Sequence, residues 1–308
     1  MIMKTPILLT YLALLVLPAC AQTNSEHEWN ATIKVIDEAG FLVHGALATI
    51  GYYTNSVPVT AESITGTNGV FRMSHTALSD IADVSFEAKK DGYYSIWQQV
   101  NLQPPYNSAK WNMEKTLVLK RIEKPIAMYA RWVNENPPTL GQPIGYDLMM
   151  GDWVCDGHKG VNADIIFQKW AYRKSGADYE YKVKVTFPKA GDGIQIYTIP
   201  DSEMGSGLRS PHEAPVEGYQ PELNKERSAH SGQPAKNDDD PNRVYLFRVR
   251  TALDHDGKVV SAHYGKIYGD FMQFTYYLNP TPNSRNIEFA PKQGLLGGLQ
   301  SFEQATAP

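Results

Sequence analysis

Along most of the chain apolar and polar positions alternate with a period of two, the spacing of a half-buried β-strand. No long stretch carries the 3.6-residue period of an amphipathic helix. In "DVSFEAKKDGYYSIWQQVNL", Val84, Phe86 and Ala88 fall on one face and Ser85 and Glu87 on the other. Ile96, Val100 and Leu102 repeat the pattern in the next strand. About seven such strands fit between Trp29 and Arg121, separated by turn residues, which predicts a small Greek-key β-sandwich.

A charged stretch and Pro125 in "KRIEKPIA" mark a boundary. Residues 125–308 are strand-rich again. "YEYKVKVTF" places Tyr181, Val183, Val185 and Phe187 on a core face and Lys182 and Lys184 on a wet one. "RVYLFRVRTALDHDGKVVSAHYGKIYGD" reads as two long strands joined through Asp256-Gly257, a dipeptide favoured in type I′ hairpins. The polar segment 222–243, "ELNKERSAHSGQPAKNDDDPNR", shows no periodicity and predicts a mobile surface loop. In "GLLGGLQSFEQ", Leu296, Leu299 and Phe302 predict a short helical turn docked on the sandwich. The expected fold class is all-β: a seven-stranded Greek-key sandwich over residues 29–121, then a larger β-sandwich-like domain over 125–308.

Three motifs in order carry a resemblance: "IKVIDEAGFLVHGALATI", "TGTNGVFRMSH" and "VSFEAKKDGYYS". Together they resemble the transthyretin-like, or carboxypeptidase-regulatory-like, domain across most of residues 29–121. In secreted bacterial proteins such domains are mostly non-catalytic spacers or binding modules, so the resemblance implies architecture more than activity. The second region is similar to uncharacterised regions of bacterial envelope proteins through "EAPVEGYQPEL", "GKVVSAHYGKIYGDF" and "YYLNPTPNSRNIEF".

The first residues change the picture. Lys4, an apolar run from Ile7 to Leu17 and small residues after it read as a secretory signal peptide over 1–19. "LPAC" resembles the lipobox of bacterial lipoproteins, which makes Cys20 the lipid attachment site and residues 20–28 a polar tether. Ordinary cleavage after "ACA" is the competing reading and would leave the protein secreted or periplasmic. Acyl chains on Cys20 would hold it firmly to a membrane, and Ala21 after the cysteine, by resemblance to known sorting rules, implies the outer membrane.

Charge excludes little. Without residues 1–19 the chain keeps 28 basic against 33 acidic residues, and no basic patch speaks for nucleic acid. Two cysteines, Cys20 and Cys155, cannot make a disulfide scaffold, so a hydrophobic core must hold the fold.

Candidate chemistry is sparse. "GDWVCDGHKG" brings Cys155 and His158 within one turn, a weak candidate for a metal or a nucleophilic pair. The bland alternative, a strand ending at Val154 and then a polar turn, fits the glycines better. The run Asp238 to Asp240 lacks the alternating ligands of a calcium loop and reads as a solvated acidic loop. No nucleophile elbow, zinc motif or phosphate loop occurs, so no cofactor and no catalytic residue is expected.

One ligand-binding face stands out. Tyr264, Lys266 and Tyr268 share one side of a strand, and Gln273 and Tyr277 alternate along the next. Paired, they would present aromatic rings among polar groups, which suits a sugar. Half-buried sheet tyrosines are the plainer explanation.

The expectation is therefore a cell-envelope lipoprotein acting as a non-catalytic binding or scaffolding module, with a polysaccharide or an envelope protein as partner. Two alternatives stay open: an enzyme of envelope or extracellular glycans whose carboxylates sequence cannot pair, and a structural subunit of a secreted assembly using an exposed strand edge.

Overall fold

The computed structural model describes residues 26–54, 57–78, 83–101 and 112–308. Residues 1–19, read from the sequence as a signal peptide, and Cys20 lie outside them. Among the described residues the regular elements are strands, apart from short 3-10 turns, as the period-two alternation predicts.

Seven strands make the first pair of sheets. β1 (Glu26–Asp37) lies between β4 (Val70–Leu78), antiparallel, and β7 (Asn112–Leu119), parallel. The facing sheet runs in the order β3 (Val57–Ile64), β2 (Leu47–Thr54), β5 (Asp83–Lys89), β6 (Ile96–Asn101), all antiparallel. Apolar residues at alternate positions fill the space between them, and Val84, Phe86, Ala88 and Ile96 are fully buried there, as the pattern requires. Trp29 and Tyr52 meet across the sheets with ring centroids 5.0 Å apart. The "TNG" turn needs its glycine: Gly69 has φ +62°, and a Cβ would lie 2.8 Å from the Val35 carbonyl oxygen.

The second pair of sheets begins with β8 (Ile126–Val133). One sheet is ordered β13 (Gly193–Thr198), β16 (Arg243–Leu253), β17 (Val259–Gly269), β18 (Phe274–Leu278), β8, β19 (Phe289–Gly294). The other is ordered β10 (Asp152–Val154), β9 (Ile144–Asp147), β11 (Ile165–Ser175), β12 (Asp178–Thr186), β14 (Glu222–Ala229), β15 (Lys236–Asn237). Aromatic side chains dominate the core between them. Tyr146 packs edge-on against Trp153 at 4.9 Å, and Phe167 stacks on Phe274 at 5.2 Å.

Three local expectations are corrected. Segment 222–243 is not a free loop: residues 222–229 are β14, which pairs residue for residue with β12. Its alternating side chains are nearly all polar or charged, so the strand period leaves no hydrophobic trace. The β16–β17 connection is also not a two-residue turn. Asp254 N–H donates to the Lys258 carbonyl (2.9 Å) around a three-residue loop, with Gly257 at φ +77°. The C-terminal turn is a 3-10 turn, Ser301–Glu303, and although Leu296 packs against the core, Phe302 is 61% exposed.

The two pairs of sheets meet through the segment 201–213. Residues 205–207 lie along the edge of β6: Trp97 N–H donates to Gly205 O (3.1 Å) and Gly207 N–H to Ser95 O (2.8 Å). The Gln98 side chain donates to the carbonyls of Asp201 (2.8 Å) and Met204 (2.9 Å). Buried charges pair around this seam, with Lys120 2.7 Å from Glu203 and Tyr94 donating to Glu288 (2.7 Å). Glu288 also accepts the backbone amides of Glu123 and Lys124, which fastens the chain between β7 and β8.

Candidate binding cleft

The strands expected to carry an aromatic face do pair, Lys266 opposite Tyr277 and Tyr268 opposite Thr275, so the expected residues share one side of the sheet. That side is not a surface. Tyr264, Lys266, Tyr268 and Tyr277 are all buried, Lys266 completely. The covering layer comes from remote parts of the chain: Ile199, Ala214, Ile287 and Ala305 pack on it. Tyr277 donates to the Ala307 carbonyl (2.6 Å), and Lys266 Nζ donates to Ser210 Oγ (2.9 Å). Burial without an ion pair drives the Lys266 ammonium well below its ordinary pKa, although Glu288 pulls the other way.

Gln273 is the exception among the five. It is exposed and lines an open cleft of about 360 Å³ that continues into a second depression of about 400 Å³. Lys225, Asp239, Asp270 and Gln273 border both. Asn134, Asn136, Tyr181, Val183, Glu226, Arg227 and Met272 complete the first lobe, and Arg209, Asp240, Pro241, Arg243 and Gly269 complete the second.

Each wall is built by local structure. β12 and β14 supply one wall, so Tyr181 and Val183 point the same way as Lys225 and Arg227. The opposite wall is the β17–β18 turn. Gly269 and Phe271 both adopt positive φ there, +115° and +66°. That uncommon backbone drives the Phe271 ring into the core, where it is fully buried. The neighbouring Asp270, Met272 and Gln273 are left at the cleft, with Asp270 Oδ1 accepting the amides of Met272 (2.9 Å) and Gln273 (3.0 Å).

The acidic run is tied down rather than freely solvated. Asp238 accepts the Glu226 amide (2.8 Å), Asp239 pairs with Lys225 (2.8 Å), and Asp240 with Arg243 (3.2 Å). Burial opposes the Lys225 charge, but Asp239 and Tyr245 outweigh it and its pKa is raised. The Arg227 guanidinium lies over the rings of Tyr179 and Tyr181, 5.8 and 5.7 Å from their centroids.

Beneath the cleft lies Lys169, completely buried on β11 opposite Val183. Its ammonium donates to the Met272 carbonyl oxygen at 3.3 Å and sits 5.6 Å from the Phe167 ring and 5.8 Å from that of Phe274. Burial lowers its pKa to about 8, against the weaker pull of Asp270 and Glu135. Lys169 follows Ile165 and Phe167 at alternate positions of β11, which was the signal in the sequence for this residue, although the same alternation also includes the exposed Arg173.

The stretch that carries Cys155 and His158 is a strand end and a turn. β10 ends at Val154, and Asp152 organises the turn beyond it by accepting His158 Nδ1–H (2.9 Å) and the Lys159 amide (2.8 Å). Cys155 packs partly buried against the core. Among the described residues no group of three or more His, Cys, Asp or Glu is placed to hold a metal ion, and no helix is long and apolar enough to cross a membrane.

No protein-family model matches the chain, and no curated protein matches it significantly. Solved structures similar to it include chlorocatechol 1,2-dioxygenase from Pseudomonas putida, at 15% identity and a TM-score of 0.26 over 32% of this chain and 63% of that one. Another is a protein of unknown function from Bacteroides fragilis NCTC 9343, described as membrane-associated. It is similar at 8% identity and a TM-score of 0.22, over 84% of this chain and all of that one. Likeness at these scores carries no inference about activity.

Proposed function

We propose that this chain is a non-catalytic binding module of the bacterial envelope and that a polysaccharide occupies the cleft between β14 and the β17–β18 turn. One observation carries the reading. Planar hydrogen-bonding groups (the Asn134, Asn136 and Gln273 amides, the Arg227 guanidinium and the Asp270 carboxylate) line one open groove together with Tyr181. Sugars need both elements, because each hydroxyl both donates and accepts while the apolar ring face packs on an aromatic surface. The groove is open and continues into the second lobe, which suits a chain passing through rather than a small molecule enclosed.

The test is affinity for a panel of immobilised oligosaccharides, and then titration of the best binder. Tyr181→Ala and Gln273→Ala should each weaken binding about tenfold, the loss of roughly 1.4 kcal/mol of contact, and leave the thermal transition within a few degrees. A panel without binders, or variants with unchanged affinity, would reject the reading.

The place of action rests on the lipobox-like "LPAC", with the lipid on Cys20 as the membrane partner. Cys20→Ser should abolish incorporation of labelled palmitate and release the protein from the membrane fraction. Persistent label would refute the anchor.

A further inference from the structure

The ammonium of Lys169 has more donors than partners. It carries three N–H groups, is fully buried, and has one long hydrogen bond of 3.3 Å to the Met272 carbonyl. Lys225 and Arg131, also buried in this sandwich, have counterions, Asp239 at 2.8 Å and Glu303, whereas Lys266, like Lys169, has none and donates instead to Ser210 Oγ at 2.9 Å. Lys169 has no ion-pair partner among the described residues, and Asp270 and Glu135 act on it only through space. An interior charge with unfilled donors is expensive unless something supplies the missing acceptor.

That charge lies behind the cleft wall, not on it. Val183, opposite Lys169 in the β11–β12 ladder, and Met272, whose carbonyl it bonds, both line the first lobe. Met272 is only half-buried, and its unbranched side chain has three rotors with which to swing aside. Lys225 and Arg227 stand on the same wall, one β-strand away.

We propose that the first lobe is a subsite for a carboxylate-bearing sugar, a uronate residue of an acidic polysaccharide, whose carboxylate takes Lys169 as its buried counterion with Arg227 at the rim. The proposal rests on the glycan reading of the cleft and names its ligand class. A carboxylate would bring acceptors to the unfilled donors of Lys169; the wall itself carries Glu226, Asp239 and Asp270 against Lys225 and Arg227, so preference for an acidic ligand rests on Lys169.

The free amine titrates at about 8, and a bound carboxylate favours its charged form, so binding becomes linked to one proton. Affinity should be flat below pH 7 and weaken about tenfold per pH unit once the solution passes pH 8. Lys225, whose charge Asp239 and Tyr245 favour against its burial, would not give this dependence.

The experiment titrates the full chain with oligogalacturonate and with a neutral oligosaccharide of equal length, from pH 6 to pH 9.5, using the wild type and Lys169→Met. The expected result is preferential binding of oligogalacturonate, the stated fall above pH 8, and at least tenfold weaker acidic binding in Lys169→Met with any neutral binding unchanged. Equal affinity for the two ligands, a flat pH profile, or full acidic binding by Lys169→Met overturns the uronate subsite while leaving the glycan reading intact. Failure of every oligosaccharide overturns both. The wild-type pH profile decides the matter even if the variant does not fold.

Discussion

The guanidinium of Arg250 meets the carboxylate of Asp164 edge to edge, Nε 2.7 Å from Oδ1 and Nη2 2.9 Å from Oδ2. The same Nη2 also reaches Asp147 Oδ1 at 2.9 Å. Arg250 points this way because it sits at a bulge in β16, with φ +56°, and Asp192 clamps the bulge by accepting the Arg250 and Thr251 amides. Two nearly inaccessible aspartates on the β9–β11 side thus depend on one cation from the opposite sheet. Arg250→Ala should cost about 3–5 kcal/mol, because it leaves two buried carboxylates unpaired. In urea denaturation, Asp164→Asn added to Arg250→Ala should cost much less than the sum of the single changes. Strict additivity would mean that the two residues are not coupled.

His212 bridges the two pairs of sheets, with Nε2 3.1 Å from Glu38 and Nδ1 3.3 Å from Glu288. Both nitrogens can donate only in the imidazolium. Burial works against that charge, but the hydrogen bond to Glu38 and the charges of Glu38, Glu288 and Glu123 outweigh it, so the folded pKa is raised above 6.5. The stability it contributes is therefore complete below pH 6.5 and is lost as pH rises through the folded value. Glu38 and Glu288 are shifted down: burial opposes this, while His212 and the backbone amides at 121, 123 and 124 win. Their contribution is present above pH 4.5 and lost as pH falls through their folded values. Lys120, Arg121 and Tyr94 complete the charged and titratable surroundings. Thermal unfolding should be most favourable to the fold between about pH 4.5 and 6.5 for this joint, and His212→Gln should flatten the decline from pH 6.5 to 8.5. Parallel curves for wild type and variant would contradict the assignment.

Gly205 is the closest backbone approach at the seam. It has φ +77°, and a Cβ there would collide with the Trp97 carbonyl oxygen. Gly205→Ala combines left-handed strain with a clash against main chain that cannot rotate away, and should cost about 2–4 kcal/mol. Limited proteolysis should then cut segment 201–213 faster than in the wild type. An unchanged digestion pattern would show that the seam tolerates separation.

By itself the sequence determined the strands with alternating apolar residues, their faces and the β16–β17 hairpin, because a period of two in apolar residues can be satisfied only by one buried face. Val84, Phe86 and Ala88, or Val183 and Val185, could be assigned from spacing alone. It also put Tyr264, Lys266 and Tyr268 on one face, while the pairing of β17 with β18 came from the structure. Only the tertiary structure decided that this face is interior, since alternation says which side chains share a side and nothing about what covers it. Its cover comes from residues 199–214 and 287–308, far off in the chain. The cleft was invisible for the same reason: Lys169, Lys225, Asp239 and Gln273 belong to strands and turns up to about a hundred residues apart, and β14 itself is polar on both faces. Long-range pairing brings them together, and the hydrophobic pattern carries no record of that pairing.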